Sequence, residues 1–308
     1  MTSNFIQKAA RLRRPFVIAL IAALVSFACA CAASTPPNPG GPNPNAPSYP
    51  VLLTDEQGDR RQVALVAWTK LMHEQGITNA PEPELHPVTA TIAGIPQLPS
   101  PLYLPKVGES VPMTEEETRE SLRRFINNNY ELLGIEPQQL SLVQRIDAAD
   151  GTKRARYEQR PFRYPFRNGF GVVEISFATD RRILNVTSTA IPEIERLRER
   201  LRASGAGINP RSELATPELV IKSMVGRTLT YTDASGRAST YTVTAQNRIT
   251  PRQFVAYPLL RETSPPALEL HLAWEITIEG APVRTIYLDA ITNEIIAATT
   301  ENTAAERD

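Results

Sequence analysis

The sequence predicts an α+β protein built from two small modules, each an antiparallel sheet packed against one or more helices. Three observations predict it. Runs of apolar–polar alternation occur in two groups, one over residues 140–190 and one over residues 228–299. A capped amphipathic helix precedes each group, at Thr114 and at Thr216. Gly, Pro, Asn and Asp punctuate the runs, as turns between neighbouring strands require. The chain of 308 residues has room for two modest domains, at roughly 100–150 residues each.

The segments divide as follows: 1–31 an export signal, 32–50 a Pro-rich tether, 51–113 an N-terminal helix with a Pro-rich extended stretch, 114–204 the first module, 205–300 the second, and 301–308 a tail. In the signal, Lys8, Arg11, Arg13 and Arg14 precede an apolar run, FVIALIAALVSFA, shorter than the roughly 20 residues that span a membrane. Ala28-Cys29-Ala30 and Ala30-Cys31-Ala32 both fit a small-residue cleavage site. Two readings stay open, a plain secretory signal and a lipoprotein signal with Cys29 or Cys31 as the lipid-modified residue. Both cysteines of the chain lie here, so the exported modules have no disulfide to form. The expected location is extracytoplasmic, secreted or held at a membrane by lipid. Without the four basic residues of residues 1–30, 29 bases remain against 33 acids. A mildly acidic body lacks the electrostatic footprint of a nucleic-acid binder. Residues 33–50, ASTPPNPGGPNPNAPSYP, read as an extended spacer.

A helix is expected over Asp55–Gly76, with Val63, Leu65, Val66, Trp68, Leu71 and Met72 as its apolar stripe. His73 begins an HEQGI run, but Ile77 stands where an HExxH zinc motif needs its second histidine. Residues 80–112 are punctuated by prolines, with VTATIAGI as one short strand. The helix Thr114–Gly134 opens on a capping box formed by Thr114 and Glu117. Leu122, Phe125, Ile126, Tyr130 and Leu133 line one side, and Gly134 closes it.

Strands are then expected at Leu140–Ile146, Arg154–Arg160, Gly171–Ala178 and Ile183–Ala190, with an irregular crossing over Pro161–Asn168. Val173, Ile175 and Phe177 face one way, and Glu174 and Ser176 the other. Pro192 is expected at the first position of a short helix, Glu193–Ala203, with Ile194, Leu197 and Leu201 buried. The second module reads as a helix Pro217–Val225 and strands Thr228–Thr232, Ser239–Thr244, Gln253–Leu259, Leu268–Ile278, Val283–Leu288 and Glu294–Thr299. In Leu268–Ile278 the even-numbered residues face the core, and His271 is expected to face out among acids.

These patterns resemble a known family. The helix SLRRFINNNYELLGI, the strand LSLVQRI, the stretch RARYEQRPFRYPF and the pair GVVEISFATDRRILNVTST resemble the fungalysin/thermolysin propeptide (FTP) domain. The helix ELVIKSMVG with LAWEITI and TIYLDAITNEIIAATTEN resembles a PepSY domain. The order is that of thermolysin-like metallopeptidase propeptides, but without the peptidase domain. Two departures are local: Arg163-Tyr164-Pro165-Phe166 replaces a Gly-bearing turn, and Asn293 replaces the turn Gly after Asp289-Ala290. Residues 50–113 lie outside the resemblance.

No catalytic inventory emerges. Zinc hydrolysis needs about three protein ligands, and the chain has only His73, His86 and His271, with no HExxH. A G-x-S-x-G elbow and phosphate-binding glycine loops are absent as well. The expectation is a non-enzymatic envelope protein with no cofactor and no metal. The resemblance implies a protein partner, for instance a secreted peptidase that it inhibits or chaperones. The alternative is a structural module or one that senses a small ligand or glycan. An aromatic strip exposed without a pocket favours the first, and a buried apolar pocket lined by both modules favours the second. The candidate contact residues are Arg160, Phe162, Arg163, Tyr164, Phe166, Arg167 and Phe170. The same aromatics also read as sheet-packing residues, and both readings stand at this point.

Overall fold

The two groups of alternating residues form antiparallel sheets. A computed structural model describes residues 49–55, 57–109, 113–160, 164–203, 214–233 and 236–300. The signal, the candidate lipidation residues Cys29 and Cys31, the tail, and the candidate contacts Phe162 and Arg163 lie outside the described residues. The fold is α+β, with five helices and thirteen strands among the described residues, and sheet predominates. None of the described helices is long and apolar enough to cross a membrane.

Strand β1 (Val51–Thr54) leads into helix α1 (Asp59–Glu74). The carboxylate of Asp55 accepts the Arg60 and Arg61 amides at 3.2 Å each, which starts the helix. Its buried side differs from the expected stripe. Ala64, Ala67, Trp68, Leu71 and Met72 are buried, while Val63 and Val66 are 47% and 57% exposed. The physical reason is close approach: the two alanines let the helix seat on its neighbours, and that rotates the valines outward. A short hairpin, β2 (Glu84–Leu85) and β3 (Ile92–Gly94), follows. The proline-punctuated segment then runs beside the first sheet, with Leu102 and Leu104 buried.

Helix α2 (Glu115–Asn128) carries the expected capping box. The Thr114 hydroxyl accepts the Glu117 amide at 3.2 Å, and the Glu117 carboxylate accepts the Thr114 amide at 2.8 Å. The expected single helix to Gly134 is broken, however, and the last turn is a separate α3 (Tyr130–Leu133). Asn129 causes the break. It is buried, and its side-chain amide donates to the Phe125 carbonyl at 2.8 Å, competing with the helical backbone. Gly134 ends α3 at φ 70°, where an added Cβ would sit 2.4 Å from the Thr91 side chain.

The first sheet comprises β4 (Leu140–Asp147), β5 (Thr152–Gln159), β6 (Val172–Ala178) and β7 (Ile183–Ser188), antiparallel in that order. Ala155, Val173, Ile175, Phe177 and Val186 form its inner face, packed with Trp68, Leu122, Phe125 and Leu133 of the helices. Each large side chain so buried contributes about 1.5–3 kcal/mol. Helix α4 (Ile194–Ala203) begins two residues later than Pro192, because Glu193 adopts a left-handed φ of 53°.

Helix α5 (Pro217–Met224) is capped by the Thr216 hydroxyl. The hairpin β8 (Thr228–Thr232) and β9 (Ala238–Thr242) precedes the second large sheet. There β11 (Ala267–Ile278) is central. The long β10 (Ile249–Arg261) takes one edge. The other edge is shared end to end by β1 and β12 (Thr285–Asp289), with β13 (Ile295–Thr299) beyond β12. The pairing Val51↔Leu270 thus brings the start of the described chain into the second sheet. The described residues form one compact unit. Within it, α4 packs Ile194, Leu197 and Leu201 against Val51, Leu53, Leu268 and Leu270.

Candidate functional site

The outer face of the first sheet is where the candidate residues meet. A period of two sends Arg154, Arg156 and Glu158 of β5 to that face, opposite the buried Ala155. Register places Arg156 across from Glu174 of β6, and Glu174 across from Thr187 of β7. Glu174 makes its ion pair diagonally, with Arg154 at 3.6 Å. Among the described residues, neither Arg156 nor Arg160 takes part in an ion pair.

The segment from Tyr164 to Gly171 stands over this floor as a wall, and its conformation is fixed on both sides. Toward the first sheet, the Gln159 amide donates to the Gly171 carbonyl at 2.7 Å, and the Thr189 hydroxyl donates to Gly169 at 2.7 Å. Buried Gln159 holds Ile191 with two side-chain hydrogen bonds of 2.9 Å. Toward the second sheet, the Arg167 amide donates to Ala256 and the Ala256 amide to Pro165, each at 3.0 Å. Arg167 grips Glu275 through Nε and Nη2, at 3.1 and 2.9 Å, and Asn168 donates to the Pro258 carbonyl at 2.9 Å. The crossing therefore adds one bridge to the free edge of β10. Gly171, at φ 75°, permits this path: a Cβ there would lie 2.4 Å from the Phe166 ring.

Together these elements enclose an open groove of about 790 Å³. All five described candidates, Arg160, Tyr164, Phe166, Arg167 and Phe170, line it. They do not play one role. Phe166 is 8% exposed and packs with α4 and the second sheet. Tyr164 is half-buried and meets the Phe254 ring edge-on at 5.8 Å, and Phe254 lies on Trp274 at 4.0 Å. Phe170 is half-buried and meets the His86 ring at 5.6 Å. Burial holds the His86 imidazole below its usual pKa, and its Nδ1 accepts the Thr89 amide at 3.1 Å. The aromatics thus join the two sheets, while Arg156, Glu158 and Arg160 face the open side. Arg156 and Glu158 are not among the candidate contacts the sequence offers, although charge at every second position of β5 marks that face. Tyr287, the one lining residue from the second sheet, had no signal in the sequence.

An acid–imidazole pair, His271 with Asp289, lies in the second sheet. The alternation turns His271 outward, but it is only 9% exposed, because Tyr49 and Asp289 cover that face. Its Nδ1 lies 2.8 Å from Asp289 Oδ2, and its Nε2 lies 3.3 Å from Glu269. The Tyr49 hydroxyl donates to the same Asp289 oxygen at 2.8 Å and accepts the Leu272 amide at 3.0 Å. The other Asp289 oxygen accepts the Ile291 and Thr292 amides at 2.7 and 2.8 Å. Burial pushes the Asp289 carboxyl up, but bonds from His271, the two amides and Tyr49 outweigh it and hold it below the usual aspartate range. Burial and the Asp289 charge raise the Tyr49 phenol. Both ring nitrogens of His271 are occupied by carboxylates, so the pair has no nucleophile to activate. Among the described residues no group of three or more His, Cys, Asp or Glu is placed to hold a metal ion.

The free edge of β4 is a second exposed feature of the first sheet, with Leu142 and Val143 at 45% and 43% exposure. Comparison of the chain with models of known protein families gave no match, and no curated protein matches it.

Proposed function

We propose that this chain is an exported, non-enzymatic protein of the cell envelope that binds a polypeptide partner in the groove on the first sheet. The observation that carries the reading is the convergence of the five described candidates on one open groove whose floor presents Arg156 and Arg160, neither in an ion pair among the described residues. Guanidinium groups bond carboxylates and carbonyl oxygens in a fixed planar fork. An open trough with a charged floor and an aromatic wall suits an extended chain better than an enclosed apolar molecule. The resemblance to FTP and PepSY propeptide domains supports a secreted peptidase as the partner, inhibited or chaperoned. The Pro-rich tether and the candidate lipidation residues Cys29 and Cys31 support a body held off a membrane surface.

Charge reversal tests this. The full chain, affinity-purified from native envelope, should retain its partner, and Arg156→Glu with Arg160→Glu should release it. Equal recovery with both proteins contradicts the reading. A second reading, a small-ligand or glycan sensor, is favoured by one observation: Tyr287 brings the second sheet into the same groove. Native mass spectrometry separates the two, since a co-purifying small molecule lost on charge reversal supports the sensor.

A further inference from the structure

A second groove, of about 660 Å³, lies on the helical side of the first sheet and shares no residue with the arginine-lined one. Its apolar surface comes from Val63 of α1, Tyr130 of α3, and the buried Ile135 and Ile194. Val63 and Tyr130 are 47% and 45% exposed, so this surface is open to water. Val66, one turn along α1, extends the exposed apolar strip.

The charges around it are unevenly compensated. Glu193 is neutralised by Arg60 and Arg196, at 3.4 and 3.1 Å, and Glu195 by Arg198 at 2.5 Å. Asp59, Glu131 and Glu136 have no ion-pair partner among the described residues. Asp59 and Glu131 stand in first helical turns, where the helix dipole favours an acid. That accounts for their place in the chain but leaves their carboxylates without a counter-cation. Glu131 accepts a hydrogen bond from the Tyr130 hydroxyl at 3.4 Å, but none of the three carboxylates meets a cation among the described residues. An apolar strip beside such carboxylates is complementary to one chemistry, a segment in which apolar residues alternate with Lys or Arg.

We infer that this groove is a docking site for a basic amphipathic peptide segment of a partner protein. The apolar side chains of the segment cover Val63 and Tyr130, and its cations reach Asp59, Glu131 and Glu136. This surface is independent of the arginine-lined groove, so either can fail without the other.

The test is fluorescence anisotropy of the full chain with a labelled peptide of repeating Leu-Lys-Lys-Leu units. The wild type should bind it and should not bind the counterpart in which Glu replaces Lys. Glu131→Lys with Glu136→Lys should weaken binding by about tenfold or more. Glu262→Lys with Glu279→Lys makes the same change of net charge on the second sheet and should stay within about twofold. Equal weakening by both pairs would reduce the effect to net charge and overturn the proposal. Absence of binding to the wild type would overturn it too. So would a wild-type dimer that the Glu131/Glu136 variant abolishes without peptide binding, since that assigns the groove to a second copy.

Discussion

The two large sheets differ in how many of their faces are covered. In the second sheet, β11 is buried on both sides: Leu272, Trp274 and Ile276 face one core, while on the opposite face Ala273 and His271 sit beside their β10 partners Val255 and Tyr257, with the Tyr49 ring against His271. The first sheet has one core. Its outer face carries Arg154, Arg156, Glu158 and Glu174 at intermediate or full exposure. A sheet closed on both sides serves as a frame, and polar groups within it must satisfy one another. A sheet open on one side can present side chains to another molecule. The two sheets should therefore respond differently to substitution: changes within the second sheet's buried polar network should cost stability, and changes on the open face of the first should not.

Substitutions can break or sharpen that contrast. The largest effect is expected from Asp289→Ala, which strands the Tyr49 hydroxyl, His271 and two backbone amides. It should cost about 3–5 kcal/mol by urea unfolding. A loss below about 1 kcal/mol would mean that the network does not hold the covering segment. The same residue sets a pH dependence. An acid depressed in the folded state stabilises the fold above its unfolded pKa, and that contribution is lost as the pH falls through the folded one. Stability should therefore decline below about pH 4, and Asp289→Ala should flatten this part of the profile.

Gly171→Ala comes next. It places a methyl group against Phe166 at a left-handed position and should cost about 1–3 kcal/mol while loosening the groove wall. Tyr49→Phe removes one bridging hydroxyl and should cost about 1 kcal/mol. In a double-mutant cycle it should couple to Asp289→Ala, because both act on one network. The smallest effect on stability is expected on the open face. Arg156→Glu with Arg160→Glu should leave the unfolding free energy within about 0.5 kcal/mol, while partner binding is lost.

Much of the framework is legible in the sequence because local chemistry decides it. Thr114 and Glu117 announce a capping box, and Thr216 caps α5. Alternation in Val173–Phe177 and in Leu268–Ile278 orients two strands, and Asn293 takes its expected left-handed turn at φ 62°. Long-range packing is not legible. Strand β1 is four residues, VLLT, with no period to read, and its partner Leu270 lies far along the chain. The buried side of α1 is set by Ala64 and Ala67, which a search for large apolar residues passes over. His271 follows the strand's alternation, but its cover comes from Tyr49, which reads as tether. The stretch Arg160–Phe170 stands out in the sequence by composition, yet only the fold separates Phe166, turned into packing, from Arg160, left in the open.

The central claim is that the open face of the first sheet receives another polypeptide. Site-specific photo-crosslinking in the native envelope addresses it most directly, with the photoreactive residue at Glu158 on the groove floor and, for comparison, at Ser239 on β9. The account predicts a defined polypeptide adduct from position 158 that disappears when Arg156 and Arg160 are reversed in charge, and none from position 239. Equal adducts from both positions, or none from position 158, would contradict it.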